Sequence, residues 1–296
     1  MRSSRVVILG SGGRLGAALA REWAAAGDEI IGFTHAALDL GDLEAVRAAI
    51  EPLEFDALVN CAALTNVDYC ETHAEEAQRI NADAVGLIGE ICGGKRARCL
   101  HISTDYVFDG EKQTPYVESD SARPLGLYAA SKLAGEEALA AANPNGLSVR
   151  VSWVFGPDRP SFVDQILKRA HETDELSAIA DKWAVPTYTL DVAQLLRPFL
   201  REVSAAGVLH LCNSGGGCTW QEYGQFALDC ASRLGAPLKG RQVAPLKMAE
   251  LKAFIAKRPV NTVMSTERLT ALTGLTPRTW QDAVEHHVRA IVQRSG

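Results

Sequence analysis

The sequence predicts a doubly wound α/β fold on a parallel sheet, with a smaller α/β unit toward the C-terminus. Three observations predict it. Short apolar runs without polar alternation recur along the first half of the chain, as in strands buried on both faces. Helical stretches of about 10–15 residues separate them, the rhythm of parallel strands joined by crossover helices. The first run passes directly into a glycine-rich turn and a helix, the arrangement that receives a dinucleotide.

Taken in order, Arg5-Val6-Val7-Ile8-Leu9 is the first strand, and it ends at Gly10-Ser11-Gly12-Gly13-Arg14-Leu15-Gly16. Leu15, Leu19 and Trp23 then recur at helical spacing, and Gly27 stops the helix. Gly10, Gly13 and Gly16 fit G-x-x-G-x-x-G, which lets backbone N–H groups approach a pyrophosphate at the positive end of the helix. The bland alternative is a glycine turn with no ligand. The second strand is Glu29–Phe33, followed by Thr34 and His35. An acidic residue here would hold the ribose 2′-hydroxyl of NAD. None is present, which tilts the cofactor toward NADP. Arg14 is then a candidate partner for the 2′-phosphate, or simply a solvated loop charge.

Further strands are expected at Ala57–Asn60, 98–103 and Leu147–Val151, with helices over 42–50 and 75–92. Asn60-Cys61-Ala62-Ala63 and Ser103-Thr104-Asp105 fall at strand ends, where ligands of such sheets bind. Small residues after Asn60 would let a flat cofactor lie close to the backbone.

Tyr128-Ala-Ala-Ser-Lys132 places a phenol and an ammonium one helical turn apart. A free phenol has a pKa of about 10, roughly 4 kcal/mol from giving up its proton at neutral pH. A nearby ammonium lowers that gap. Alone the pair is a weak pattern. With a hydroxyl at a strand end, such as Thr104, it can organise hydride transfer to a carbonyl. The tyrosine protonates the developing alkoxide and the hydroxyl polarises the same oxygen. The lysine holds the nicotinamide ribose and lowers the tyrosine pKa, while the cofactor brings the hydride.

After Gly156-Pro157 the rhythm is less regular. Phe162, Ile166 and Leu167 suggest a helix. A helix over 191–200 and a strand over 207–212 are expected to return to the first unit. Gly215 to Gly217 is a loop, and Thr219-Trp220-Gln221-Glu222 opens a helix as a capping box. The expected division is a dinucleotide-binding unit over 1–152, rejoined by about 187–212, and a mainly substrate-binding unit over 153–296, with the cleft between them as the site.

The net charge of −6 without a basic run argues against nucleic acid, and no apolar stretch reaches the length of a membrane span. The first strand begins within a few residues of the N-terminus, so no signal peptide is expected. Seven scattered cysteines without a CxxC pair suit a reducing cytoplasm and give no zinc pattern.

On these residues the chain resembles the extended short-chain dehydrogenase/reductase superfamily, and within it the dTDP-4-dehydrorhamnose reductase family. The most specific stretches are Leu100-His-Ile-Ser-Thr-Asp-Tyr-Val-Phe-Asp-Gly110 and Pro124-Leu-Gly-Leu-Tyr128-Ala-Ala-Ser-Lys132-Leu-Ala-Gly-Glu136. Asn60 to Ala63 through Val67-Asp68, Ser152-Trp153-Val154-Phe155-Gly156, Pro186-Thr187-Tyr188, and Arg258-Pro259-Val260-Asn261 with Ser265-Thr266 agree with it. The resemblance implies a Rossmann fold, NADPH as cofactor with NADH as the alternative, and a nucleotide-activated 4-keto-6-deoxy sugar as substrate. It implies Thr104, Tyr128 and Lys132 as the catalytic triad. Gly10, Gly13, Arg14, Leu15 and Gly16 would hold the pyrophosphate end. Asp39 and Leu40 would meet the adenine, unless Asp39 only caps the following helix. Asn60, Ala62 and Ala63 would line the dinucleotide path. Asp105 and Trp153 would face the sugar nucleotide, with core packing as the alternative for Trp153.

The sequence departs from that family where the substrate is read. Pro160-Ser161-Phe162 replaces an Asn-Asn-Phe run. Asp181-Lys182-Trp183-Ala184-Val185-Pro186-Thr187 replaces Asp-Gln-x-Gly-x-Pro-Thr, adding a charge and a methyl group. Some relatives bind Mg²⁺ between subunits through acidic side chains. The corresponding Ala18 and Leu190 cannot ligate it, so no metal is expected. The expected assembly is a monomer or homodimer, and the sequence does not decide between them. Two other readings remain. One is an epimerase or dehydratase of the same superfamily, although Tyr106 stands where dehydratases carry a glutamate. The other is a non-catalytic NADP-binding regulatory subunit.

Overall fold

A computed structural model describes residues 3–202, 205–251 and 254–295. The first half alternates as expected: β1 (Arg5–Leu9), α1 (Arg14–Ala25), β2 (Glu29–Phe33), α2 (Leu43–Ile50), β3 (Ala57–Asn60), α3 (Val67–Cys70), α4 (Ala74–Gln78), α5 (Ala84–Lys95), β4 (Arg98–Thr104), α6 (Leu127–Ala142) and β5 (Leu147–Val151). The second half contains β6 (Val154–Phe155), α7 (Phe162–Glu172), β7 (Leu176–Ile179), β8 (Trp183–Ala184), β9 (Thr187–Tyr188), α8 (Thr189–Leu196), β10 (Gly207–His210), β11 (Cys218–Thr219), α9 (Trp220–Arg233), β12 (Val243–Leu246), α10 (Glu267–Thr273) and α11 (Trp280–Ser295).

Six strands form one parallel sheet in the order β10-β5-β4-β3-β1-β2. Its apolar runs lack alternation because both faces are covered. Val6 and Ile8 of β1 face a layer made by Leu15, Leu19 and Trp23 of α1 with Val192, Leu195 and Leu196 of α8. Val7 and Leu9 face the opposite layer, with Val46 and Ile50 of α2 and Val85 and Ile88 of α5. The switch from β1 outward to β2 on one side and β3 on the other opens a crevice at the carboxyl ends of the strands.

The expected strand over 207–212 is β10, which pairs with β5 at the sheet edge. α8 starts at Thr189, and Pro198 turns its expected last turn into a short 3₁₀ segment over Arg197–Leu200. Trp23 of α1 donates its indole N–H to the Ala193 carbonyl of α8 at 2.7 Å, tying this returning helix to the sheet. The expected helix over 75–92 is broken by a π-helical turn, Arg79–Asp83. There Asn81 points inward, accepting from the Leu64 amide at 2.8 Å and donating to the Leu64 carbonyl and the Ser131 hydroxyl, both at 3.0 Å.

A third apolar cluster lies in the second half, where Tyr223 of α9, Trp280 of α11 and Ile166 of α7 pack around Phe155 and Tyr188. Thr219 and Glu222 form the expected capping box at α9. The two-stranded pairs β6–β9, β8–β11 and β7–β12 were not foreseen; strands of two to four residues carry too little periodicity to read. Among the described residues, no helix is long and apolar enough to cross a membrane.

The packing of α6 against the π turn leaves no room for a side chain at Gly135, where a Cβ would stand 2.1 Å from the Asn81 carbonyl oxygen. Gly135→Ala is expected to destabilise the fold by about 1–3 kcal/mol, the usual range for overpacking. Urea denaturation should show a lower midpoint at unchanged slope. An unchanged midpoint would contradict the close approach.

Candidate active site

The crevice is a cleft of about 1250 Å³ running from the glycine turn, past the ends of β3 and β4, to Trp153. Its floor at one end is the glycine turn. Gly10 has φ +76°, and a Cβ there would lie 2.8 Å from the Ala62 amide nitrogen. Gly16 is not on the cleft wall. It packs beneath the turn, where a Cβ would be 2.2 Å from the Gly10 carbonyl oxygen. Gly13 caps α1 without a side-chain hydrogen bond, and the first turn has no acidic residue. Its free N–H groups and positive dipole end therefore suit an anion. Leu15 lines the cleft and is anchored in the core below.

Arg14 lines the cleft, but its guanidinium donates to the backbone carbonyls of Arg159 (3.3 Å) and Pro160. Arg159 returns a bond from Nε to the Gly12 carbonyl at 3.0 Å. This reciprocal clasp joins the glycine turn to the segment before α7. It differs from the expected free cation near the end of β2. Sequence reading missed Arg159, which also lines the cleft, because nothing local relates residues about 145 positions apart. Phe33, Thr34 and His35 border the cleft at the end of β2, with no acidic group among them.

Asp39 also lines this end and accepts from the Gly41 amide at 2.9 Å. It does not cap α2; Asp42 does, accepting from the Ala45 amide at 3.0 Å. Leu40 is buried beside Asp39 and still reaches the wall. Ala62 and Ala63 line the path, but Asn60 does not. Asn60 is buried behind them, and its Oδ1 accepts from the Ala62 amide at 3.0 Å, which fixes the course of the loop.

Thr104, Tyr128 and Lys132 meet in the middle of the cleft. Thr104 ends β4, accepting from the Tyr106 amide and donating to Asp105, both at 3.2 Å. Tyr128 begins α6, partly exposed to the cleft, with the Tyr106 ring packed edge-on at 5.9 Å. Loss of water pushes its phenol up to about 12. The Thr104 hydroxyl offsets part of this, while the Asp105 charge adds to it.

The expectation that Lys132 depresses this pKa is therefore corrected: burial raises the phenol and the Asp105 charge adds to the rise. The buried Lys132 side chain turns away to His101 Nε2 (3.0 Å) and the Ile102 carbonyl (2.8 Å). Burial lowers Lys132 itself to about 8, with Glu136 pulling it back up. α6 is held against the sheet by Glu136. It accepts two bonds from Arg150 of β5, at 2.9 and 2.6 Å, and one from Ser103 of β4 at 2.5 Å.

Asp105 is at the cleft but is almost wholly buried. It accepts from Ser152 at 2.9 Å, from Thr104, and through a short bond from Thr262. Burial raises its pKa; the nearby Lys182 charge is the largest effect opposing that rise. Lys182, the position that departs from the family pattern, is also buried. Its ammonium lies 4.6 Å from the centre of the Tyr106 ring and donates to the Pro259 carbonyl at 2.5 Å. The added charge thus faces Asp105 and not the solvent, whereas Trp183 is 38% exposed.

Trp153 is both a cleft residue and a packing residue. It lines the cleft and stacks on Trp220 at 4.0 Å. Its backbone sits at φ +38°, a region costly for any residue but glycine. The segment 254–264 straps the cleft edge: Asp68 of α3 accepts from the Ile255 and Ala256 amides and pairs with Arg258 at 2.7 Å. Among the described residues no group of three His, Cys, Asp or Glu side chains is placed to hold a metal.

The profile of the RmlD substrate binding domain family matches residues 4–293. The dTDP-4-dehydrorhamnose reductase of Mycolicibacterium smegmatis is 35% identical over 98% of this chain and 86% of its own length. That of Burkholderia thailandensis is 32% identical over 98% and 100%. The Bacillus anthracis dTDP-4-dehydrorhamnose reductase, solved in complex with NADP, superposes with a TM-score of 0.90 at 27% identity, covering 98% of this chain and 100% of that one. A match of this extent, over a cleft of this construction, means that the chain belongs to the RmlD substrate binding domain family, within the extended short-chain dehydrogenase/reductases.

Proposed function

We propose that this protein is an NADPH-dependent reductase of a nucleotide-activated 4-keto-6-deoxy sugar, converting dTDP-4-dehydrorhamnose to dTDP-rhamnose. The observation that carries the reading is the convergence of Thr104, Tyr128 and Lys132 on a cleft that begins at an uncapped helix N-terminus. The names of the two bacterial relatives support the substrate, and the NADP in the Bacillus anthracis complex supports the cofactor. The residues present fit a dinucleotide. Gly10 leaves the cradle that a Cβ would fill, the α1 amides suit the pyrophosphate, and the end of β2 lacks the carboxylate that would repel a 2′-phosphate.

When bound, NADPH supplies the hydride for the keto carbon. Tyr128 holds the proton for the carbonyl oxygen. A phenol held near 12 stays protonated at neutral pH and can release its proton as charge develops on that oxygen. Thr104 would offer a second donor to the oxygen by turning its one O–H away from Asp105. Lys132 would hold the ribose beside the reacting carbon. Trp153 and Asp105 border the sugar end, with Asp105 orienting Thr104 through its hydrogen bond. All seven cysteines are free, which supports a reducing compartment such as the cytoplasm. A monomer or homodimer fits the reading.

The assay is NADPH oxidation with dTDP-4-dehydrorhamnose. Tyr128→Phe is expected to lower kcat by about 10²-fold or more, the scale of a lost general acid. Full activity in that variant would remove Tyr128 from the mechanism. Gly16→Ala should push the Gly10 carbonyl out of the turn and weaken NADPH about tenfold or more, an affinity change equivalent to ~1.4 kcal/mol. Calorimetric titration of the cofactor checks this, and wild-type affinity would contradict the close packing under the turn.

A further inference from the structure

His101 is a buried histidine that the reaction just described does not use, and it lies directly behind Lys132. Its surroundings fix its tautomer. Asn60 Oδ1 accepts from the Ala62 amide, so the Asn60 amide nitrogen must face the other way. That nitrogen lies 3.2 Å from His101 Nδ1. An amide nitrogen can only donate, so Nδ1 is the acceptor and the imidazole proton sits on Nε2. Turning the Asn60 amide over would set an NH₂ group against the Ala62 N–H. The Nε2–H then points at Lys132 Nζ, 3.0 Å away. An ammonium has three donors and no acceptor, whereas a neutral amine has a lone pair that accepts this bond. Along the chain from Ala62 through Asn60 and His101 to Lys132, each contact pairs one donor with one acceptor only when Lys132 is neutral.

We propose that His101 is a positioning residue for the reductase reaction: as the Nε2–H tautomer it hydrogen-bonds the Lys132 lone pair, stabilises the neutral amine, and so sets the pH above which Lys132 loses its charge. The inference rests on the reductase reading for its consequence, though not for its geometry. The titratable groups around the amine are His101 on β4, Cys61 after β3, and Tyr128 and Glu136 on α6. Glu136 is already matched by Arg150 and Ser103. The Cys61 thiol is pushed up to about 12 by burial and so stays neutral. His101 is held well below its ordinary range by burial and by Lys132, so it does not itself carry charge at neutral pH. Burial alone already lowers Lys132 to about 8, and the hydrogen bond from His101 would act in the same direction.

Two measurements test it. Long-range ¹H–¹⁵N spectra of the unaltered protein without cofactor should show His101 as the Nε2–H tautomer across the neutral pH range. The Nδ1–H tautomer would overturn the proposal, whatever the protein catalyses. The second is the pH profile of kcat/KM for NADPH, which reports the free enzyme, in His101→Gln, whose carboxamide can turn an oxygen toward Lys132 and so accept from the ammonium. Its alkaline limb should move up by about one pH unit or more. A role in packing alone would lower kcat/KM alike at every pH and leave the limb in place, and that result would also overturn the proposal. Absence of turnover in the wild-type protein would count against the reductase reading, and the tautomer would still decide the role of His101.

Discussion

Asp105 is a carboxylate with almost no access to water, and segments from four parts of the chain meet to make its burial tolerable. Thr104 comes from the end of β4, Ser152 from the end of β5, Thr262 from the C-terminal strap and Lys182 from the turn before β8. A buried charge is costly unless it is both hydrogen-bonded and paired, and removing one partner typically costs about 3–5 kcal/mol. The seating of the second half of the chain on the sheet is therefore coupled to the electrostatics of one side chain. That side chain also orients the Thr104 hydroxyl, so the fold's closure and the reactive centre share a constraint.

The same economy of position holds α6. Glu136, bridged to Arg150 and Ser103, pins the helix to the two strands beside it, and the bonds lie one turn beyond Lys132. Tyr128 and Lys132 therefore inherit their register from a buried ion pair and not from their own contacts. This arrangement leaves Tyr128 with a high pKa and Lys132 with a low one before any ligand enters. Both shifts arise from the same cause, removal of water. They move in opposite directions because the phenol is charged when deprotonated and the amine when protonated.

Much of this was legible in the sequence, for identifiable reasons. The strands of the large sheet are continuous apolar runs, and the glycine turn, the Ser-Thr104-Asp105 strand end and the Tyr128–Lys132 spacing are local patterns. What stayed hidden depends on distance along the chain. The Arg14–Arg159 clasp, the Asp68–Arg258 pair and the hydroxyls around Asp105 join residues more than a hundred positions apart in most cases. Asn60 was read as a lining residue because its position in the motif is right, yet its amide supports the wall from behind. Lys182 read only as an added charge, and its burial was not legible because lysine is rarely buried. Only the placement of Asp105 and the Tyr106 ring explains why it is internal. His101 lay inside a recognised motif but carried no sign of its role, because a tautomer is set by neighbours in space.

The π-helical turn at Arg79–Asp83 bears on how this chain tolerates length change. One residue advances an α-helix by about 100°, so the wider turn acts as a phase shifter between α4 and α5. It lets α5 keep its apolar side on the sheet while Asn81 faces inward and grips both polar groups of Leu64, a residue of the cleft wall. A smooth helix over the same stretch would satisfy its own backbone better and lose that grip. The irregularity thus trades local regularity for alignment. It marks a place in this long helical stretch where adding or deleting a residue would be felt at the ligand cleft, and not absorbed at a surface loop.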